Sequence, residues 1–303
     1  MTLRHFLEID DLRADELADV LDASEKQHPP LIAGRGVALI FEKPSLRTRN
    51  SSEMAVVQLG GHPTYISNAE IQLGTRESTE DITRTLQGYH CAIAARVFTH
   101  THLDRMVSVA RVPIINLLSD SGHPVQTLAD LLTIRQHVGP LDGVTIGWVG
   151  DFSNVARSLA LGAAMLGASF RVCTPNGYGP LDADLDRIGG VAVGNATISV
   201  HTKPEEAVAG VDVVSTDAWY SMGQEDEKES RRRAFEGFRV DERMMAAAGG
   251  SAIFLHCLPA HREEEVTSAV LDSAQSRIWP QAHNRMHTFR GLLAWLVAQG
   301  SIA

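Results

Sequence analysis

The hydrophobic residues fall into two kinds of segment that alternate along the chain. Short continuous apolar runs are typical of strands buried on both faces, and apolar positions three or four residues apart are typical of amphipathic helices. Because the two kinds alternate, the pattern predicts an α/β fold with parallel sheets flanked by helices. The predicted strands are residues 36–42, 92–98, 112–116, 144–149, 169–174, 211–216 and 252–256, and the main predicted helices are 14–25, 47–59, 127–137 and 154–167.

A stretch with glycine and proline at 139–143 interrupts this pattern near the middle of the chain. The chain has 303 residues, which is about twice the usual length of a single domain. The stretch therefore predicts a boundary between two α/β domains. The last helix has apolar residues at i, i+3, i+4, i+7 and i+8, so it must dock on another element. These residues are Phe289, Leu292, Leu293, Leu296 and Val297.

Charge and composition exclude several classes of partner. The net charge is −10, from 27 basic and 37 acidic residues, which argues against general affinity for nucleic acid or an anionic membrane. No uncharged apolar run approaches the ~20 residues that span a bilayer, and the N-terminus does not resemble a signal peptide. The three cysteines are too few and too far apart to predict a disulfide framework or a zinc site. These features favour a cytoplasmic protein.

The first segment with candidate chemistry is 41–49, which follows a predicted strand and opens a helix. Ser45 and Thr48 supply hydroxyl groups, the helix start supplies free N–H groups, and Arg47 supplies a planar set of donors. Together these groups predict an anion site, most naturally for phosphate. The alternative is an N-cap serine followed by solvated arginines. Further arginines that could contribute are Arg49, Arg96 and Arg285.

Other polar segments also follow predicted strands, where open α/β sheets bind ligands. His123 and Gln126 could hold a carbonyl group, and Asp217 is suited to an ammonium group. Asn154 could be a ligand or only an N-cap. Cys257 is either a thiol activated by neighbouring cations or an inert buried thiol. The glycines near Asn154 do not have the spacing of a dinucleotide turn, so no nucleotide cofactor is predicted.

Five motifs follow one another along the chain: Ser45-x-Arg-Thr-Arg49, His123-Pro-x-Gln126, Asn154, Asp217-x-x-x-Ser-Met-Gly223 and His256-Cys-Leu-Pro259. Their order resembles the ornithine carbamoyltransferases, a branch of the aspartate/ornithine carbamoyltransferase family. The first two motifs are shared across the wider family, and the last two point to the ornithine branch. The resemblance extends from residue 41 to the last helix.

The resemblance implies an enzyme that transfers the carbamoyl group of carbamoyl phosphate to the side-chain amine of L-ornithine, giving L-citrulline and phosphate. It implies no metal and no organic cofactor, and a place in arginine biosynthesis. Residues 1–139 and 285–303 would bind carbamoyl phosphate, with the C-terminal helix returning to this first domain, and 140–284 would bind ornithine. The family assembles as trimers or multiples of trimers, in which the segment around Gln72 reaches a neighbour's site.

Site residues are also implied by the resemblance. Arg96, His123 and Cys257 would be catalytic, the first two by polarising the carbamoyl oxygen. Ornithine would be held by Asn154, Asp217, Ser221 and Met222. Carbamoyl phosphate would be held by Ser45, Leu46, Arg47, Thr48, Gln72, Arg96, His123, Gln126, Cys257, Leu258 and Arg285.

The chain departs from the usual family pattern at three positions. Leu46 stands where threonine is common, Ser153 where asparagine is common, and His283 where glutamate is common. A bulky apolar residue at 46 resembles the enzymes that use N-acylated ornithine. Two alternatives follow: an acceptor that is an N-acylated ornithine or another diamine, or a catalytically weak paralogue that only binds ligand.

Overall fold

The computed structural model describes residues 3–220 and 225–302. The chain forms two compact units, one of residues 1–129 with 283–303 and the other of residues 130–282. Both boundaries lie within long helices, Pro124–His137 and Ile278–Ala298. The division predicted from the sequence, at 139/140 and 284/285, concerns the two ligand-binding domains and stays a prediction.

Strands and helices alternate through most of the chain, as predicted. The strands are β1 Gly36–Phe41, β2 His62–Ser67, β3 His90–Arg96, β4 Ile114–Leu118, β5 Thr145–Val149, β6 Ser169–Cys173, β7 Ile198–His201, β8 Val213–Thr216 and β9 Ile253–His256. The helices are α1 Ala14–Ser24, α2 Leu46–Gln58, α3 Asn68–Ile71, α4 Thr79–Leu86, α5 Thr101–Val107, α6 Pro124–His137, α7 Asn154–Met165, α8 Asp182–Val191, α9 Pro204–Val208, α10 Lys228–Ala234, α11 Glu242–Ala248, α12 Ser268–Leu271 and α13 Ile278–Ala298, with short 3-10 helices at Ile9–Asp11 and Glu225–Glu227.

The first unit contains a four-stranded parallel sheet in the order β2-β1-β3-β4. The chain moves outward in opposite directions from β1 and β3, so the connectivity reverses between these two strands. Such a reversal opens a crevice at the carboxyl ends of the strands, which is where open α/β sheets bind ligands. The segment 41–49 follows β1, and Arg96 is the last residue of β3.

The second unit repeats this arrangement with five parallel strands in the order β7-β6-β5-β8-β9. Here the connectivity reverses between β5 and β8. Asn154 begins the helix after β5, and Asp217 directly follows β8. The polar segments therefore lie at the carboxyl ends of strands in each unit, as the sequence predicts.

The C-terminal helix α13 belongs at its C-terminal end to the first unit. Its predicted apolar stripe is buried at Phe289, Leu292, Leu293 and Leu296. From the same helix, the buried Arg290 donates to Gln58 Oε1 of α2 over 2.7 Å and to the Ser24 carbonyl at the end of α1 over 3.0 Å. These contacts confirm that the last helix returns to the first unit.

Two strands, β2 and β7, were not predicted because both are edge strands with half-buried side chains. Several short helices between 68 and 86 and between 182 and 271 were also missed, since they lack the length that makes helical periodicity visible. Across the two described ranges, no helix is both long and apolar enough to cross a bilayer.

Candidate active site

The start of α2 has the geometry of an anion site. Ser45 is the N-cap of this helix, and its hydroxyl accepts from the Thr48 N–H over 3.3 Å. Arg47 is half-buried in the first turn. Leu46 directs its side chain to solvent and is 75% exposed. The N-cap interpretation of Ser45 is therefore confirmed, and the anion site at this helix N-terminus stays a prediction.

Arg285 connects two of the predicted phosphate-binding segments. It is buried, and its guanidinium donates to Thr48 Oγ1 over 3.1 Å and, through a short hydrogen bond, to Gln126 Oε1. Thr48 and Gln126 are themselves almost fully buried. The fold thus brings together residues that are 237 and 159 positions from Arg285 in sequence.

His123 lies in the same electrostatic environment. It is buried at the start of α6, next to Pro124. Burial holds the pKa of His123 well below its usual range, and the nearby guanidinium groups of Arg285 and Arg96 lower it further. The imidazole is therefore neutral at pH 7, so it can form hydrogen bonds to a carbonyl oxygen without adding a charge.

Gln72 lies in a different setting from the other predicted residues of this unit. It is exposed at the end of α3 in the left-handed conformation, with φ 45°. Its carbonyl accepts from the N–H groups of Thr75 and Arg76 over 2.9 and 3.0 Å, which closes a tight turn. Within the described ranges, no hydrogen bond joins the Gln72 side chain to Arg285.

In the second unit, Asp217 and Cys257 are in direct contact. The Cys257 thiol donates to Asp217 Oδ1 over 3.1 Å, and the Ala218 N–H donates to the same oxygen over 2.8 Å. Burial raises the pKa of the Asp217 carboxyl, while hydrogen bonds from the Cys257 thiol and the Ala218 N–H partly offset this shift. A half-buried carboxylate of this kind is suited to an ammonium group, whose charge would offset the cost of burial.

The contact adds to what the sequence indicates for Cys257. The sequence left open a thiol activated by neighbouring cations or an inert buried thiol, and the structure shows the Cys257 thiol donating a hydrogen bond to a carboxylate. The side chain is thus a hydrogen-bond donor in a polar cluster. Two further predicted residues, Ser221 and Met222, lie outside the residues that the structure describes.

A buried histidine and glutamate hold the turn that carries Cys257 and Leu258. His256 Nδ1 accepts from the Leu258 N–H over 2.9 Å, and His256 Nε2 lies 3.1 Å from Glu265 Oε1. The first contact requires the neutral tautomer with its proton on Nε2, so Nε2 donates to Glu265. Glu265 also accepts from the His261 N–H over 2.6 Å, and Leu258 is held at φ 61°.

The turn after β5 is also fixed by charged groups. Asn154 is the first residue of α7, and Ser153 is its N-cap, so Asn154 is not the cap that the sequence allowed. Nearby, Arg231 donates to Asp151 Oδ2 over 2.8 Å and to the Trp219 carbonyl over 3.0 Å. These bonds tie the segment after Asp217 to the turn that precedes Asn154. Burial raises the pKa of Asp151, and Arg231 opposes the shift.

A metal ion could be imagined at one cluster of this unit. Ligand atoms of Asp217, His256 and Cys257 lie within 4.8 Å of one another. Both ring nitrogens of His256 are, however, engaged with Leu258 and Glu265. Ligation by this histidine would break one of those bonds, so the cluster fits a hydrogen-bonded turn better than a metal site.

Sequence reasoning missed the acidic residues that support these turns. Glu265 and Glu8 are buried, although acids in such surroundings are usually solvated. Glu265 stands at the end of a run of three glutamates, which is typical of an exposed face. Its partner His256 belongs to the motif His256-Cys-Leu-Pro259. The position of His256 next to Cys257 in the sequence was the only available indication of this buried pair.

Two family models together cover almost the whole chain. The carbamoyl-P binding domain of aspartate/ornithine carbamoyltransferase matches residues 4–136, and the Asp/Orn binding domain matches residues 142–296. The chain therefore belongs to the aspartate/ornithine carbamoyltransferase family.

Individual relatives place the chain within this family. It is 46% identical over 304 residues to an ornithine carbamoyltransferase of Acidothermus cellulolyticus, covering 97% of each chain. The ornithine carbamoyltransferase of Pyrococcus furiosus has a similar structure, with a TM-score of 0.92 at 40% identity over 97% of this chain and 98% of the other. An acetylornithine transcarbamylase with bound acetylcitrulline is similar at a TM-score of 0.87 and 28% identity, over 97% and 99% of the two chains.

Proposed function

We propose that the chain is an ornithine carbamoyltransferase, which transfers the carbamoyl group of carbamoyl phosphate to the side-chain amine of L-ornithine. The observation that carries the proposal is the pair of sites with opposite chemistry. Arg285 and a neutral His123 suit a carbamoyl phosphate anion, and the half-buried Asp217 carboxylate suits an amino acid's ammonium group. The relatives named above support ornithine as the acceptor.

In the proposed reaction, the neutral side-chain amine of ornithine attacks the carbamoyl carbon. A C–N bond forms, the C–O bond to phosphate breaks, phosphate leaves with the electron pair, and the proton lost by the nitrogen passes to the leaving phosphate. Arg47, Thr48 and Arg285 hold the phosphate as its charge grows, which is electrostatic stabilisation of the leaving group. Arg96 and His123 polarise the carbamoyl oxygen.

The acceptor would be oriented by groups of the second unit. Asp217 receives the α-ammonium group, and Asn154, Ser221 and Met222 contact the amino-acid backbone. Cys257 and Leu258 complete the surroundings of the carbamoyl group and the reacting amine. An amine of this type has a solution pKa near ~10, so loss of its proton limits the rate at neutral pH. Activity should therefore rise with pH above 7.

A second acceptor, N-acetylornithine, is the alternative that Leu46 favours. An acetylated α-amine carries no charge and would leave the half-buried Asp217 carboxylate without a cationic partner. This carboxylate therefore supports free ornithine. A colorimetric assay for ureido products, with carbamoyl phosphate and either acceptor, tests this choice.

We expect citrulline from ornithine, and at most a trace of acetylcitrulline from N-acetylornithine. The reverse preference would assign the chain to the second acceptor. Absence of product with both acceptors, from protein that binds carbamoyl phosphate, would identify a ligand-binding paralogue.

The proposal includes a homotrimer, or a multiple of trimers, that lies in the cytoplasm and takes part in arginine biosynthesis. Each site would use Arg47, Asp217 and Cys257 from one subunit and Gln72 from its neighbour. The exposed position of Gln72 on a tight turn supports a role directed away from its own subunit.

Shared sites can be tested by complementation. Arg47→Ala and Gln72→Ala should each inactivate a pure trimer, whereas co-refolding the two at equal amounts should restore roughly a quarter of the sites in a closed cyclic trimer. Mixing without subunit exchange is the control and should restore nothing. Mixed trimers that form by native mass and stay inactive would contradict shared sites, as would a fully active Gln72→Ala protein.

A further inference from the structure

The turn of residues 119–122 directly precedes His123 and is closed by buried hydrogen bonds. The Ser119 N–H donates to the Gly122 carbonyl over 2.9 Å, and the Gly122 N–H reaches Ser119 Oγ over 3.3 Å. Asn116, in the middle of β4, directs its Nδ2 toward Ser119 Oγ at 3.2 Å and the Gly122 carbonyl at 3.3 Å. The position of this turn therefore fixes where His123 enters α6.

The N-terminal segment of the chain lies against the same turn. Phe6 pairs with β4, because its N–H donates to the Ile114 carbonyl over 2.9 Å and its carbonyl accepts from the Asn116 N–H over 2.8 Å. Asn116 Nδ2 also donates to the Leu7 carbonyl over 2.9 Å. This pairing extends the sheet by one short segment and brings Glu8, the residue after Leu7, to the turn of residues 119–122.

Glu8 occupies the space that a side chain at position 122 would need. A Cβ on Gly122 would lie 2.4 and 2.6 Å from the two Glu8 carboxylate oxygens and 2.8 Å from Glu8 Cδ. These separations are far below van der Waals contact. The φ of Gly122 is outside the left-handed region, so this position does not require glycine for its backbone conformation. It requires glycine for room.

A polar neighbour holds the Glu8 carboxylate in this place. His100 Nδ1 lies 3.7 Å from Glu8 Oε1 and 2.8 Å from Ser119 Oγ. Glu8 is 6% exposed, and Ser119 is fully buried. The Glu8 carboxylate thus lies between His100 and the Gly122 backbone and is shielded from solvent.

From this packing we infer that Glu8 is a positioning residue for carbamoyl phosphate, acting through Gly122 on the turn that carries His123. The inference rests on the proposed function, in which His123 contacts the carbamoyl group. A shift of the reacting groups by about 1 Å can cost ~100-fold in rate. A change at Glu8 or Gly122 should therefore weaken the use of carbamoyl phosphate although neither side chain touches it.

A double-mutant cycle tests the inference with the full-length protein. Wild type, Gly122→Ala, Glu8→Ala and the double variant are compared by steady-state kinetics with each substrate varied. Gly122→Ala should lower kcat/KM for carbamoyl phosphate by at least ~10-fold, because its Cβ displaces the turn. Glu8→Ala should relieve this collision, so the double variant should recover to within ~3-fold of Glu8→Ala.

Three further measurements separate positioning from a general loss of structure. The KM for ornithine should stay within ~2-fold in all four proteins, because its site is built from the second unit. Glu8→Gln keeps the volume of the side chain and should restore the KM for carbamoyl phosphate that Glu8→Ala raises. Gly88→Ala, where the new Cβ meets only an ordinary contact at 3.4 Å, is the matched control and should behave as wild type.

Several results would overturn the inference. Wild-type kinetics in Gly122→Ala would show that Glu8 moves aside freely, and a double variant as impaired as Gly122→Ala would show that another group blocks position 122. A Glu8→Gln protein as weak as Glu8→Ala would assign the effect to charge. If Gly122→Ala does not fold, the inference requires that the double variant folds. If the wild type makes no citrulline, the proposed function is wrong, and calorimetric binding of carbamoyl phosphate to the same proteins then decides the inference.

Discussion

The two units place groups of opposite charge at equivalent positions of the same topology. In each, the connectivity of a parallel sheet reverses between two neighbouring strands, and polar residues follow the carboxyl ends. In the first unit these groups are the buried guanidiniums of Arg96 and Arg285 around a neutral His123. In the second they are the half-buried carboxylate of Asp217 and the buried carboxylate of Glu265, joined to the Cys257 thiol and the His256 imidazole.

This contrast shows that the fold determines where a ligand binds and the side chains determine its charge. A net charge of −10 for the chain gives no indication of a buried site for an anion. The cations of the proposed site would come from Arg47 after β1, Arg96 at the end of β3 and Arg285 in α13, which are far apart in the sequence. Substitution of one charged residue in either unit tests this contrast.

The largest expected effect follows from removing the anion-binding charge at Arg47. Arg47→Ala should lower kcat/KM by at least ~100-fold, because a charge-assisted contact contributes ~1.5–3 kcal/mol even before the growing charge of the leaving phosphate is considered. Steady-state kinetics of the folded variant checks this. Arg49→Ala is the matched control on the same helix turn: Arg49 forms an exposed ion pair with Glu53 at 2.8 Å, so its loss should cost little.

Near-normal kcat/KM in folded Arg47→Ala would remove Arg47 from the anion site. Arg47→Lys sharpens the result, since lysine keeps the charge and loses the planar set of donors. We expect this variant to fall between wild type and Arg47→Ala.

The next largest effect is expected at Asp217, and it should be confined to the amino-acid substrate. Asp217→Asn keeps the acceptor oxygen for Cys257 and Ala218 and removes the charge that would meet the ammonium group. The KM for ornithine should rise at least ~10-fold, the cost of about one charged hydrogen bond. The KM for carbamoyl phosphate should change little. Equal losses for both substrates would contradict the separate roles of the two units.

Asp217→Asn should weaken the use of ornithine, but its stability relative to wild type should rise with pH. The pKa of Asp217 is raised by burial, so its contribution to stability is fully present below the unfolded pKa and is lost as pH rises through the folded pKa. Raising the pH from near the unfolded pKa to 7 therefore lowers the contribution of Asp217 to the stability of the wild type. We expect the free energy of unfolding of Asp217→Asn minus that of wild type to be larger at pH 7 than near pH 4. Denaturant titrations of both proteins at both pH values measure this difference. A difference that does not change with pH would show that other groups compensate the Asp217 carboxylate in the folded state.

The smallest effect is expected at Leu46, the residue that departs from the family pattern. Its exposed side chain contributes little to packing. Leu46→Thr adds a hydroxyl group at the helix start and should tighten carbamoyl phosphate by up to about tenfold, the equivalent of one hydrogen bond. Leu46→Val is the control, because valine has the shape of threonine without the hydroxyl. Equal affinity in both variants would show that position 46 does not face the phosphate.

The central strands of both sheets could be predicted from the sequence, whereas two edge strands could not. β1, β3 and β5 are continuous apolar runs because both of their faces are covered. β2 contains histidine, proline, threonine and serine and is only half-buried. An edge strand needs apolar residues on part of its surface only, so its composition is close to that of a loop.

The candidate site divides in a similar way. Ser45, His123 and Asp217 stand next to predicted strand ends and could be selected from the sequence, and the resemblance gave them roles. Glu8 and Glu265 could not be selected, because each acts on a turn from another segment and only the folded chain brings them there. Their acidic side chains predict exposure, and burial becomes possible only through partners such as His100 and His256.

The central claim is that affinity for carbamoyl phosphate depends mainly on charged groups of the first unit and affinity for ornithine on Asp217 of the second. Calorimetric titration of carbamoyl phosphate into wild type, Arg47→Ala and Asp217→Asn, without ornithine, tests it most directly. The account predicts that Asp217→Asn binds within ~2-fold of wild type and that Arg47→Ala binds at least ~10-fold more weakly. Loss of carbamoyl phosphate binding in Asp217→Asn, or unchanged binding in Arg47→Ala, would contradict the account.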